Sequence, residues 1–371
     1  MSEILTLLRR APDVESPELV AVDATDRLLL DEAAAARALC GPGEVAVVDD
    51  NYGALTLGAV ALHGASDVRV SQDLLLGERA LDRNAVRTGL TGTYRSLPLG
   101  PDLVRGARVV LVQAPKALEA LREIAEVIAS AAAPDVTVLV GGRVKHMTHG
   151  MNDVLGASFT DVSATLARQK SRVLVARGPR PGTSSFPRTQ EHADLGVVVR
   201  AHGAAFAGTK VDIGTRALLA CLDRMPSTGT ALDLGAGTGV LAVAMARRHP
   251  GLEVIAADQS AAATASARAT AAANGLADRI RVIRDDAGDS LPEAGVDVVV
   301  LNPPFHVGAA VVTTVAERLF VAAARVLRPG GELWTVYNSA LRYRPTLSRL
   351  VGPTRVAEQS PKFTVTVSTR R

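Results

Sequence analysis

Asn302-Pro303-Pro304-Phe305 follows directly on the apolar run Asp297-Val298-Val299-Val300-Leu301. Consecutive prolines restrict the backbone and remove two N–H donors, so this turn offers the Asn302 amide oxygen and the Pro303 carbonyl as fixed acceptors. An amino group conjugated to a planar ring or carbonyl is a poor nucleophile because its lone pair is delocalised. Two acceptors that take its hydrogens turn the lone pair toward an electrophilic carbon. Phe305 adds a face on which a base taken out of its helix would stack. No strong base is required, because the proton leaves to water once the nitrogen has become cationic. His306 comes next, and a lone His beside such a motif reads as a hydrogen-bonding neighbour before it reads as a general base. Asn-Pro-Pro alone is also an ordinary turn, so the reading depends on what lies upstream.

Upstream, the strand Ala231-Leu232-Asp233-Leu234 runs into Gly235-Ala236-Gly237-Thr238-Gly239 and then into an apolar helix from Val240. Glycines at every second position let the backbone pass under a ligand, and the helix start offers free N–H groups to an anion such as a carboxylate. A dinucleotide fingerprint would need glycine where Val240 stands. Asp233, two residues before Gly235, instead resembles the first motif of class I methyltransferases, where it helps to hold the methionine moiety of S-adenosylmethionine. Asp258 ends the next strand, placed to accept from both ribose hydroxyls; the competing reading is a cap for a helix over 259–274. Asp286, beside Asp285 just past the following strand, matches the family position that contacts the adenine amine.

The elements that must position these groups occur twice. The segment from Val45 lays over that from Ala231, with an offset of 186 at Gly53 and Gly239 and of 189 at Gln113 and Asn302. Each copy alternates apolar strand runs (45–48, 68–71, 108–112 and 136–140; then 230–234, 253–257, 280–283, 296–301 and 332–337) with Ala-rich helical stretches, the pattern of a doubly wound α/β sheet. Gly235 and Gly237 correspond to Asp49 and Asn51, and Asp258 to Gln72. Side chains there would block a ligand, and an Asp would repel a carboxylate, so the first copy is expected to lack the cofactor site. The expected division is a degenerate domain over 1–180, a Gly-, Pro- and Ser-rich linker over 181–208, and a catalytic domain over 209–371.

Phe206-Ala-Gly-Thr-Lys-Val-Asp212-Ile-Gly214-Thr215, then DLGAGTGVLAVA, NPPFH and Pro361-Lys362-Phe363, together resemble the ribosomal RNA guanine-N2 methyltransferases of the small-subunit type and their large-subunit relatives. The resemblance covers essentially the whole chain. It implies two tandem Rossmann-like methyltransferase domains with a degenerate N-terminal copy, S-adenosylmethionine as cofactor, and a guanine exocyclic amine as acceptor. It implies ribosomal RNA or a ribosomal subunit, in first place 16S rRNA, as partner. By the same comparison 206–215 folds over the cofactor with Thr215 near it, and the first domain helps to hold RNA. The site so assigned is Asn302, Pro303, Pro304 and Phe305 for catalysis, with Asp233, Gly235, Gly237, Gly239, Asp258, Asp286, Thr215 and Asn302 around the cofactor and no metal.

Composition bounds these readings without deciding among them. At 371 residues and 47% hydrophobic content, two ordinary cores are expected. No secretory signal or long apolar run is seen, so a cytoplasmic location is expected; a monomer is expected as well. Cys40 and Cys221 stand far apart, against a disulfide framework or a zinc site. The formal charge is +3, yet Arg168–Arg216 holds nine Lys and Arg against three acids and Arg342–Arg371 seven against one, stretches able to track phosphates or simply to stay solvated. Aromatics at 3% exclude a long stacking platform. Three readings stay open beside guanine: a release-factor glutamine or adenine N6 as acceptor, a non-catalytic RNA-binding assembly factor, and a small-molecule substrate.

Overall fold

The computed structural model describes residues 3–371 except 17, 39 and 304–308, and leaves the side chains of 309–314 undescribed. The chain divides into two units, Met1–Phe186 and Pro187–Arg371. In the first, seven strands run β1 Val45–Val48, β2 Val68–Ser71, β3 Tyr94–Ser96, β4 Val109–Gln113, β5 Thr137–Arg143, β6 Phe159–Ala164 and β7 Ser171–Pro179. In the second, a hairpin of β8 Arg188–His192 and β9 Val197–Ala201 precedes β10 Thr228–Leu234, β11 Gly251–Asp258, β12 Ile280–Arg284, β13 Val296–Leu301, β14 Leu327–Asn338, β15 Thr354–Gln359 and β16 Phe363–Thr369.

The two large sheets have the same order, β3-β2-β1-β4-β5-β7-β6 and β12-β11-β10-β13-β14-β16-β15. The first five strands of each are parallel, and the last two form an antiparallel extension. Helices on both faces bury both sides of the central strands, which is why these read as continuous apolar runs. In β13, Val298 and Val300 join one core while Val296, Val299 and Leu301 join the opposite one. Ala46 and Val48 of β1 likewise face away from Val45 and Val47. This is the expected α/β architecture of two tandem class I methyltransferase folds.

The expected linker over 181–208 is not irregular throughout: its middle, Arg188–Ala201, is the β8–β9 hairpin, which belongs to the second unit. The free edge of β9 is satisfied by a helix, Ala261–Ala273. Asn274 Oδ1 accepts from Val198 N (3.1 Å), Thr270 Oγ1 from Arg200 N (3.0 Å) and Ser266 Oγ from His202 N (2.9 Å). Ser266, Thr270 and Asn274 lie four residues apart, so they line one face of an otherwise Ala-rich helix. They fix the path of the chain as it leaves β9 for the next helix, Ile213–Leu219.

Candidate active site

All groups assigned from sequence and described here lie around the carboxyl ends of β10, β11, β12 and β13, where open α/β sheets bind ligands. After β10 the loop is locked from below, since Gly235 N and Ala236 N both donate to Ala257 O of β11 (2.8 and 3.0 Å). Gly235, Gly237 and Gly239 all have left-handed backbones (φ 75, 54 and 77°). Their surroundings separate them. A Cβ on Gly235 or Gly237 would meet nothing within 4 Å, whereas one on Gly239 would lie 3.0 Å from both Cα and Cβ of Ala267. Gly239 is therefore glycine for helix packing as well as for its φ, and the other two keep open a space that protein atoms do not fill.

Asp258 reaches into this loop and accepts from Gly237 N through Oδ2 (2.9 Å) and from Ser260 N through Oδ1 (2.9 Å). The helix that follows starts at Ala261 and is capped by Ser260, whose Oγ accepts from Ala263 N (3.0 Å). The capping alternative for Asp258 thus falls to its neighbour. Asp233 is almost completely buried and accepts from Ala242 N (3.0 Å), tying β10 to the first turn of the helix Val240–Arg248. Burial pushes its carboxyl up to about 7; the Ala242 N–H opposes this and the charge of Asp258 adds to it.

Beyond β12 the adjacent acids divide their work. Asp285 Oδ2 accepts from Ser290 N (3.1 Å) and Ser290 Oγ (2.9 Å), holding a turn. Asp286 is buried and ion-paired with Arg318 of the helix Ala309–Val326, so the carboxylate assigned to the adenine amine is already held by a guanidinium. Arg318 was not foreseen; its partner lies far back along the chain, and no local pattern marks it.

Asn302 follows β13 and its amide is held at one end only. Nδ2 donates to Asp212 Oδ2 (3.1 Å) and Oδ1 (3.3 Å) and to Thr215 Oγ1 (3.2 Å). Oδ1 is buried with no hydrogen-bond partner among the described residues. Asp212 is itself fixed as the N-cap of Ile213–Leu219, accepting from Gly214 N (2.8 Å) and Thr215 N (3.2 Å), while Thr215 Oγ1 donates to its Oδ2 (2.6 Å). Pro303 is buried beside Asn302. Pro304 and Phe305, assigned to catalysis, and His306 lie outside the described residues. Sequence reasoning gives Asp212 no role; its spacing to Thr215, an acid three residues before a hydroxyl at a helix start, is the one local mark it carries.

Among the described residues no cluster of His, Cys, Asp and Glu is arranged to hold a metal ion, and no helix is long and apolar enough to cross a membrane. Residues 196–367 match the family model of the Methyltransferase small domain, and residues 2–180 match that of the RLMG N-terminal domain. The chain is 35% identical over 363 residues to Ribosomal RNA large subunit methyltransferase G of Pseudomonas aeruginosa, covering 96% of each protein. It is 33% identical over 369 residues to the protein of that name in Streptomyces avermitilis, covering 96% of this chain and 95% of the relative. Among solved structures it is similar to the 16S rRNA N2 guanine methyltransferase RsmC of T. Thermophilus, in complex with AdoMet and guanosine, with a TM-score of 0.75 and 25% identity over 94% of this chain and 92% of that one. A strand-end acid, an open glycine loop and an amide turn on this sheet thus sit in a chain matched nearly end to end, and the chain belongs to the Ribosomal RNA large subunit methyltransferase G family of S-adenosylmethionine-dependent enzymes.

Proposed function

We propose that this enzyme methylates the exocyclic N2 amine of a guanine in ribosomal RNA, and that the guanine belongs to the large subunit. The observation that carries the reading is the Asn302 Oδ1, a buried acceptor with no hydrogen-bond partner among the described residues. A buried acceptor left unsatisfied costs about 1–3 kcal/mol, and an N–H of the acceptor amine would remove that cost on binding. The Pro303 carbonyl is the second acceptor in this proposal.

Cofactor binding falls to the loop and the strand-end acids. The open space over Gly235 and Gly237 fits a ligand passing close to the backbone. Asp258 takes the ribose hydroxyls, exchanging its bond from Gly237 N for theirs, Asp233 lies under the methionine moiety, and Thr215 and Gly239 complete the surround. Asp286 reaches the adenine amine while held by Arg318. S-adenosylmethionine supplies the sulfonium methyl group. Asn302 and Pro303 aim the amine nitrogen at it, and the proton leaves to water after transfer, so no side chain is needed as base.

The sequence alone favoured 16S rRNA. Relatives matched over 96% of this chain are named for the large subunit, and this supports moving the expected substrate there; the structural relative named for 16S rRNA is matched at lower identity. The first unit is assigned to holding RNA. The test is transfer of labelled methyl to unmodified large subunits, small subunits, transfer RNA and release factor in parallel, followed by hydrolysis and chromatography. N2-methylguanosine from the large subunit is expected. Label in the small subunit would overturn the choice of subunit, and N6-methyladenosine or methylglutamine would overturn guanine.

A further inference from the structure

We infer that Asp212 is a positioning residue that decides which end of the Asn302 carboxamide faces the methyl acceptor; the inference rests on the role proposed above for Asn302. A carboxamide has a donor end and an acceptor end of nearly the same shape, and only the acceptor end can take a hydrogen from an amine. Something must therefore choose between two orientations half a turn apart. Around Nδ2 stand both carboxylate oxygens of Asp212, at 3.1 and 3.3 Å, and the Thr215 hydroxyl oxygen at 3.2 Å. The hydroxyl proton is spent on Asp212 Oδ2, so that oxygen too faces Nδ2 as an acceptor. Turned over, Asn302 would set its Oδ1 against three acceptors and lose every bond it makes here.

Asp212 is held by the cap bonds it accepts, and glycine at 214 leaves room for the close approach of the cap to Asn302. A Cβ on Gly214 would lie 3.0 Å from Asn302 Oδ1 and 3.1 Å from Asp212 Oδ1. The outcome is a carboxamide whose donor end is saturated and whose acceptor end meets no hydrogen-bond partner among the described residues. This preorganisation is complete before substrate arrives, which is what makes a fixed dipole effective in catalysis.

The test exploits the fact that Asn caps helices about as well as Asp. In D212N the oxygen that remains keeps the cap bonds, and an NH2 group replaces Oδ2. That group confronts Asn302 Nδ2, donor against donor, and Asn302 turns its oxygen inward. In full-length protein assayed on unmodified large subunits, D212N should lose roughly a hundredfold in kcat, the scale of removing one preorganised polar group. Its thermal midpoint and its dissociation constant for S-adenosylmethionine by calorimetry should stay close to the parent's. N302D alone should also be slow, since two carboxylates then face each other. D212N combined with N302D should regain at least about tenfold over either, because a carboxylate has no wrong end and the amide donates to it. The inference is overturned if D212N keeps kcat within about threefold of the parent, or if the double variant is no faster than N302D. N302A serves as the separate control on the site itself: transfer at the parental rate would remove the role of Asn302 and this inference together, whereas a slow N302A beside a fast D212N would remove only the inference.

Discussion

The two units carry the same strand–turn–helix with different glycines, and the difference separates what the fold needs from what a ligand needs. The backbones agree closely. Asp49 N donates to Ser71 O as Gly235 N does to Ala257 O (2.9 and 2.8 Å), and Leu57 N to Gly53 O as Val243 N does to Gly239 O (2.9 Å each). Asp49, Asn51 and Gly53 keep left-handed φ values of 58, 57 and 94°. Only the third glycine survives in both units, and in both a Cβ there would press on the next helix, at Leu81 or Ala267. The first two were free to change once no ligand passed over them, and Asp and Asn are the side chains that tolerate this conformation best. A carboxylate also changed its place. Asp233 on the strand accepts from Ala242 N; in the first unit Asp50, from the turn, accepts from Thr56 N at the equivalent position (2.7 Å). Gln72, the counterpart of Asp258 in the first unit, is buried and donates from its amide to Gly77 O (3.1 Å).

Among the described residues the first unit holds more carboxyls that burial raises well above their ordinary range, and the largest expected effect tests that. Burial pushes Asp26 up to about 8, Asp50 to about 7 and Asp49 to about 6, against one such group among the described residues of the second unit, Asp233 at about 7. The sign follows from proton uptake. Each carboxyl keeps its proton when folded at a pH where the unfolded chain has released it, so the stability it contributes is complete below about pH 4 and is lost as pH rises through 6 to 8. Between pH 5 and 8 the first unit should lose on the order of a few kcal/mol, and more than the second. Hydrogen exchange at the β1 and β4 amides against those of β10 and β13, corrected for intrinsic rates, measures the two separately. Equal protection losses in both sheets, or a gain in the first, would contradict the assignment.

A second prediction converts one loop toward the other. Gly237→Asn reproduces the first unit's residue at a position where φ suits Asn and no protein atom stands within 4 Å of a Cβ. The fold should be retained with its melting temperature little changed. Affinity for S-adenosylmethionine should fall by roughly a hundredfold, the consequence of about 1–3 kcal/mol of steric conflict in a close-fitting site. The reverse change, Asp49→Gly with Asn51→Gly, should leave calorimetric stoichiometry at one cofactor per chain, because Gln72 still occupies the place of the ribose-binding acid. A second binding event in that variant would show that the loop alone made the difference.

How much of this was legible in the sequence depends on where the restraint resides. Gly235-Ala-Gly237-Thr-Gly239 and Asn302-Pro303-Pro304 announce themselves because glycine and proline restrict the backbone through their own covalent structure, and β10 and β13 because burial on both faces leaves only apolar residues. The outer strands do not. β6 and β15 carry no continuous apolar run, since most of their side chains face solvent. The β8–β9 hairpin was hidden in a segment called a linker because β9 finishes its hydrogen bonding on a helix whose Ser266, Thr270 and Asn274 lie more than 60 residues further on. The grip of Asp212 on Asn302 and of Arg318 on Asp286 are tertiary in the same way: residue types and local spacing leave open which helix start meets which strand end.

The third glycine gives the smallest effect and the one most specific to packing. Both Gly53→Ala and Gly239→Ala force an L-residue into left-handed backbone, which costs about 1 kcal/mol at each site. The contacts then distinguish them. At Gly53 the nearest atom is Leu81 Cδ1, 2.8 Å from the added Cβ, the end of a side chain able to rotate away. At Gly239 it is the backbone Cα of Ala267, with its Cβ equally near, and neither can move unless the helix Ala261–Ala273 shifts bodily. Gly239→Ala should therefore destabilise its unit by about 2 kcal/mol and Gly53→Ala its own by nearer 1. Because that helix also carries the β9 contacts, its shift should reach the segment leading to Asp212, so Gly239→Ala should lower kcat as well as stability. Urea unfolding of each variant beside its transfer rate decides the matter: equal destabilisation at the two positions, or a Gly239→Ala enzyme with parental kcat, would mean that the helix absorbs the methyl group without moving what it holds.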